Sequence, residues 1–546
     1  MVGLALGACA RSMLPVESGA ELDLVVDEYL ALGSARSDWS WDSLLAGELP
    51  DLSPERFEDG IEERRRLLER ARSIAPEHLT RPERTDRRAL IALLEGAIHD
   101  AERERRWESE PSLYLPAARV ASLFEQDPPP SGRALALLRA LPATLRQGRA
   151  SLRRPPERST REAIFQARST IETVRSRLAG LADPELVVAT EQALVELEEH
   201  LRFLEEDLLP RSDGEWSIGK EHYDFTLQHR WLLDADADEI LAVGREVFER
   251  TVAEAQEVAQ RIQPGSDWVT VYESLKDDHP PADGLKAAYQ EQMDAAKRFL
   301  IEHRVVTLPE GEEVVTVDTP PAMRRSSPYG TFDSVDPDDD ELRGRLVLTP
   351  IEDWLTPEQR RERLRAHHRS WIPLIAVHEA YPGHHVHALE TYQNPRKLRH
   401  HVREAIFSEG WGLYTEQLMW DLGFLHGDDV ELTKLRNRLW RAARVILDVS
   451  LHTGRMTFDE AVDFLVERVR FDRLAAELEV GMYVERPTYV LGYLIGMLEI
   501  EKMCREWVEK NGEPAEPRQL YDALLRIGSL PPALVRAELL GEEPPP

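Results

Sequence analysis

Eight of the chain's 17 histidines fall in the 35 positions from His367 to His401. At their centre stands His378-Glu379-Ala380-Tyr381-Pro382-Gly383-His384-His385. Neutral imidazoles joined by a carboxylate are the donors of catalytic zinc sites. A His-Glu pair sets a general base beside the first ligand. The spacing here exceeds the four residues that put two histidines on one helical face. Six residues turn a regular helix through roughly 600°, which leaves His378 and His384 about 120° apart. Seven residues return His385 to the face of His378, but roughly 10.5 Å along the axis. Neither pair converges on one ion in an unbroken helix. Pro382 removes the N–H that would bond the carbonyl of His378, and Gly383 can take backbone angles closed to other residues. A local bulge that absorbs two residues would return His384 to the face of His378. His378 and His384 are the expected ligands, with His385 the alternative for the second and Glu379 the expected base.

The third donor is expected downstream. Glu404 to Glu416 has a helical pattern, and Glu409 follows His384 by 25 residues. A short connection between two helices would bring that carboxylate to the histidines. Two histidines and a glutamate with an open fourth position make a catalytic ligand set. Glu416, two turns further on the same face, is the expected support behind a ligand. One Zn²⁺ per chain is expected, although the same donors accept other divalent transition metals. Arg324, Arg325 and Arg486 are candidates for a bidentate grip on a peptide carboxylate.

The block from His378 to His385, with Glu409-Gly410-Trp411, Tyr414 and Glu416, resembles the bacterial family called "domain of unknown function 885". Its members look like zinc metallopeptidases of the gluzincin type, distantly similar to helical oligopeptidases and Taq-type carboxypeptidases. The resemblance runs from about residue 24 to 540, with Gly219, Tyr223, Tyr329-Gly330 and Pro487 to Gly496 as weaker landmarks. It implies that a tyrosine of the C-terminal lobe assists the tetrahedral oxyanion, and Tyr493 matches that position better than Tyr489. Tyr489 and Arg486 are then expected to contact substrate. The chain departs from the family pattern at His387, where glutamine is usual, at Thr488, where glycine is usual, and near Met482, where arginine is usual. These changes leave the ligands intact and bear on the C-terminal wall of the cleft.

The elements that must position these residues are mostly helices. Residues 21 to 209 are amphipathic and rich in Arg, Glu, Leu and Ala, which favour helix. Ser53-Pro54 and Thr356-Pro357-Glu358-Gln359 read as helix starts, the second as a capping box. Breaks fall at Pro128 to Pro130, Pro155-Pro156 and Pro280-Pro281. The β-branched run Glu313 to Val317, Tyr329 to Phe332 and Arg345 to Leu348 read as short strands. The expected fold is mainly α: two helical lobes about a deep cleft, with a short antiparallel β segment near the site. The lobes are expected at 21–300 and at 301–546, the second catalytic.

Composition bounds the partners. The 546 residues are 42% hydrophobic and 31% charged, and the net charge is −32. Such a field repels phosphate backbones and anionic membranes, which argues against nucleic-acid binding. No apolar run approaches the length of a membrane span. Of the two cysteines, Cys504 reads as a core residue. Leu6-Gly7-Ala8-Cys9 reads as a bacterial lipobox, though residues 1–9 are shorter than a signal peptide and lack a basic start. A lipid on Cys9 would hold the protein in the cell envelope; with Met1 as the true start it would be cytoplasmic. The leading expectation is a zinc-dependent hydrolase of peptide bonds that takes short peptides. The alternative is a non-catalytic envelope lipoprotein that binds metal or peptide.

Overall fold

The computed structural model describes all residues except 1–14, 35–48, 118–119, 121–130, 179, 321–323, 325–326, 328, 336–341 and 546. Cys9, Arg325 and the Pro128 to Pro130 break lie outside the described residues. The chain is mainly helical, as its composition demands. Ser53 caps α1 (Pro54–Ser73), its hydroxyl accepting from the N–H of Arg56 at 3.3 Å. The long helices α2 (Ser131–Ser151), α3 (Glu157–Leu178) and α4 (Pro184–Phe203) follow, with Pro155-Pro156 separating the first two. They build one of two hydrophobic cores, drawn from residues between Leu52 and Leu208. The larger core takes residues from Leu22 to Leu94 and from Tyr223 to Val535. Helix α5 (Ala237–Ile262) lies within 21–300 and α6 (Leu285–His303) runs across residue 300, and both pack in that larger core with the elements of the site.

Three strands follow: β1 (Glu313–Asp318), β2 (Gly330–Asp333) and β3 (Arg343–Leu348). Their order is β1-β3-β2. The sheet is therefore mixed, not wholly antiparallel as expected. β2 returns along β3 as an antiparallel neighbour, and β1 takes the other edge of β3 in parallel register, Glu313 opposite Arg343. The long connection between β1 and β3 passes through β2, which frees that parallel edge.

Helix α7 (Pro357–Arg365) begins at the capping box read from the sequence: Gln359 N–H donates to the Thr356 hydroxyl at 3.2 Å, and Thr356 N–H donates to the Gln359 side chain at 3.0 Å. Four helices then carry the site: α8 (His384–Thr391), α9 (Ala405–Asp421), α10 (Asp428–His452) and α11 (Gly492–Asn511). Helix α9 is buried on nearly every side, which suits an element in the centre of a core. It crosses α11 at Gly410 and Gly496: a Cβ on Gly410 would stand 2.5 Å from the Gly496 carbonyl carbon. Only paired glycines let the two backbones meet this closely. Helix α10 lies along α5 by the same device, Gly244 making room for the side chain of Val445.

Candidate metal centre

The apolar run before His378 leads into a π-helical turn, Ala376–Ala380. The helix then stops. Tyr381 N–H donates to the Ala376 carbonyl at 3.1 Å and Gly383 N–H to the Val377 carbonyl at 3.0 Å. Gly383 lies against His378 so closely that a Cβ would fall 1.7 Å from its carbonyl oxygen. The indole of Trp411 on α9 donates to the Pro382 carbonyl at 2.9 Å, which ties this break to the helix of the third donor. A new helix starts at His384. The two extra residues are thus absorbed by a widened turn and a clean break between helices, not by a bulge within one. The outcome is convergence: the rings of His378 and His384 meet edge to face, centroids 5.0 Å apart.

Glu409 closes the group. Its Oε2 is 3.5 Å from Nε2 of His384 and 4.0 Å from Nε2 of His378. One donor atom from each of the three residues lies within 4.8 Å of the others. Nδ1 of His378 is held by Oε1 of Glu416 at 2.9 Å, leaving Nε2 for the cluster. That carboxylate–histidine pair fixes the tautomer a metal ligand needs. Gly412 completes the cradle, for a Cβ there would sit 2.7 Å from Nε2 of His378. The Tyr489 hydroxyl donates to Oε1 of Glu409 at 2.8 Å, so it orients the carboxylate from behind. Two imidazoles and a carboxylate, with His378 backed by Glu416 and Glu409 by Tyr489, suit a divalent cation of borderline softness.

The electrostatics follow from this crowding. Burial opposes charging His384, but the hydrogen bond and charge of Glu409, with Glu379, hold its pKa at about 9. Burial would raise the Glu409 carboxyl, yet His384, His378 and the Tyr489 hydroxyl hold it at about 2. Burial, with His384 and Arg403, pushes His387 down to about 3, so its ring is neutral at pH 7.

The cluster opens on a cavity of about 570 Å³. Glu379, half-buried, lines it beside His378, as do Tyr489 and Tyr493. The Tyr493 ring stacks 6.4 Å from that of His378. His385 faces the other way: fully buried, it pairs its Nε2 with Glu312 at 2.8 Å, and Tyr381 donates to the same carboxylate oxygen at 2.8 Å. Arg486 is exposed, with its guanidinium 5.6 Å from the Tyr489 ring, and is not among the residues lining the cavity. Arg324 is committed to Glu352 at 2.8 Å and to the Thr319 carbonyl. Two residues of the cavity wall, Arg441 and Trp440, carry no motif that marks them in the sequence. The helical period of α10 was their only signal. A second group of donor residues, Asp100, Glu104 and His222, has Arg230 3.6 Å from Asp100 as a resident cation.

Comparison with known proteins places the chain. It belongs to the bacterial protein family of unknown function DUF885, whose model matches residues 31–539. No curated protein matches it. Among solved structures, it is similar to a candidate lipoprotein of unknown function from Shewanella oneidensis. That pair shares 20% identity at a TM-score of 0.81, over 97% of this chain and 100% of the other. A candidate lipoprotein from Colwellia psychrerythraea follows at 16% identity and a TM-score of 0.74, over 96% of this chain and 98% of that one. At these identities the likeness establishes the fold.

Proposed function

We propose, with membership of a family without assigned activity as the premise, that this chain is a metal-dependent hydrolase of peptide bonds. The observation that carries the reading is the convergence of His378, His384 and Glu409, with Glu379 beside them on one cavity wall. His378, His384 and Glu409 would hold a divalent cation such as Zn²⁺, which would supply a Lewis acid for the scissile carbonyl and lower the pKa of water. Glu379 takes the water's proton and hands it to the departing amine. Glu416 keeps His378 in one tautomer, and Tyr489 keeps Glu409 turned toward the histidines. The Tyr493 hydroxyl is the donor for the oxyanion. A cavity of about 570 Å³ suits a short peptide, not a folded chain. No helix among the described residues is long and apolar enough to cross a membrane. The descriptions of the two solved proteins and the run ending in Cys9 support a lipid-anchored enzyme of the envelope.

The test separates catalysis from binding. Glu379→Gln keeps the side chain's shape but cannot accept a proton at neutral pH. Zinc content should stay at about one ion per chain, while turnover of a peptide library, read by mass spectrometry, should fall about 10²–10⁴-fold. Full turnover in Glu379→Gln would remove the proposed base. Metal binding without any cleavage by the wild type would favour a metal- or peptide-binding lipoprotein.

A further inference from the structure

Four arginines line the cavity: Arg399, Arg403, Arg441 and Arg444. Two are neutralised from within the protein. Arg399 is held by Asp86 and Glu538, each at 2.8 Å, and Arg444 by Glu479 at 2.6 Å. Arg403 stands exposed and donates to the Tyr392 hydroxyl at 2.5 Å. Arg441 differs from all three. It is 6% exposed, and neither its Nε nor its Nη1 has a hydrogen-bond partner. No carboxylate lies within ion-pair distance of it among the described residues. Its guanidinium rests only on aromatic faces, 4.4 Å from the Trp440 ring and 5.6 Å from the Tyr493 ring.

A guanidinium cannot shed its proton to escape burial. Left in this state, it bears the desolvation cost of a charge with little in return. A ligand carboxylate compensates that cost by two parallel hydrogen bonds, the geometry a guanidinium fork matches best. The position fits a peptide. The Tyr493 ring is 6.4 Å from the ring of His378 and 5.6 Å from Arg441. An extended chain advances ~3.3–3.6 Å per residue, so a carboxylate on Arg441 lies a few residues at most from the cluster.

We infer that Arg441 is the substrate anchor of this site, a receptor for a peptide carboxylate close to the scissile bond. This rests on the peptidase reading and narrows it: the substrates are short peptides with a free C-terminal carboxylate or an acidic side chain at that distance. Lysine in its place keeps the charge and loses the fork. Methionine keeps the stem and loses both.

The test pairs turnover with binding. Zinc-loaded wild type, Arg441→Lys and Arg441→Met are assayed on tripeptides with free and with amidated C-termini, each carrying Glu or Gln. Wild type should prefer the carboxylate-bearing member by roughly 10–100-fold in kcat/KM, the worth of hydrogen bonds to a charged group. Arg441→Met should bring that ratio near one, chiefly through KM, and Arg441→Lys should fall between. The pair of peptides that shows the preference identifies the carboxylate, terminal or side-chain. In parallel, binding of the same Glu and Gln tripeptides, acetylated and with free or amidated C-termini, to metal-free protein is measured by calorimetry, which requires no turnover. An unchanged ratio in Arg441→Met, or wild-type binding that differs neither between acid and amide nor between the Glu and Gln peptides, overturns the anchor. If no peptide is cut, the peptidase reading fails. The calorimetric arm then decides on the anchor alone: a preference for the carboxylate-bearing peptide that disappears in Arg441→Met supports it.

Discussion

Each residue of the Glu409-Gly410-Trp411-Gly412 block has a separate physical task. Glu409 offers its carboxylate to the histidines, Gly410 admits α11, Trp411 ties down the chain break at Pro382, and Gly412 leaves room for the His378 ring. Two substitutions probe the cradle without removing a ligand. Gly412→Ala forces the His378 imidazole aside, since the new methyl would meet Nε2 at 2.7 Å. Glu416→Ala frees the ring's other nitrogen from its 2.9 Å partner. Each should weaken zinc affinity roughly 10–100-fold, the range for losing support behind a ligand. His384→Ala should weaken it far more than His385→Ala, because the His385 ring points to Glu312. Competitive chelator titration measures all four, and a reversed order for the two histidines would refute the ligand assignment. The histidine and glutamate types were legible from spacing alone. The choice of His384 over His385 was not, because it depends on where the helix breaks.

The elements explain what could be read and what could not. Helix starts at Ser53-Pro54 and Thr356-Pro357 were legible because caps are local chemistry. The sheet was legible as strands but not as topology: local runs do not say which edge of β3 receives β1. The wall formed by Arg441 on α10 was illegible, because one arginine in a helix of many looks like any other solvated charge. The α9–α11 crossing shows how tertiary contact assigns meaning to a small residue. A Cβ on Gly496 would fall 1.8 Å from the Ile406 carbonyl oxygen, so Gly496→Ala must push the helices apart. Overpacking of this kind costs about 1–3 kcal/mol. The same displacement would draw Tyr489 from Glu409, since Tyr489 lies just before α11. The expected outcome is a lowered urea midpoint together with reduced zinc affinity. A drop in stability with affinity untouched would mean that the crossing holds the core without positioning the cluster.

At the scale of the whole molecule, one buried carboxyl joins three distant segments. Asp448 on α10 accepts from the Tyr223 hydroxyl at 2.5 Å and from the Thr488 N–H at 3.0 Å. Thr488 has a left-handed backbone, φ 67°, and directly precedes Tyr489. The nearest titratable neighbour on α10 itself is His452, whose Nε2 lies 3.9 Å from the carboxyl and is spent on the Tyr483 carbonyl. His452 is held neutral at pH 7 by its own burial, and no lysine or arginine lies within ion-pair distance of Asp448 among the described residues. Burial accordingly pushes Asp448 up from 3.8 to about 7, against the two hydrogen bonds. A carboxyl whose folded pKa is raised contributes its full stability below the unfolded value and loses it as pH climbs through the folded one. Between about pH 4 and 7 the unfolded chain gives up this proton while the folded chain keeps it. The loss amounts to about 1.4 kcal/mol for each pH unit in that window. Asp448→Asn has no proton to lose, and its side-chain oxygen can accept from both Tyr223 and Thr488. Its stability relative to wild type should therefore climb from pH 4 to pH 7 and level off above, as read from urea midpoints at each pH. The amide group sets the absolute offset between the two proteins and leaves the slope alone. Parallel curves across that range would show that Asp448 stays charged in the folded chain, with a counter-charge reaching it from elsewhere in the fold.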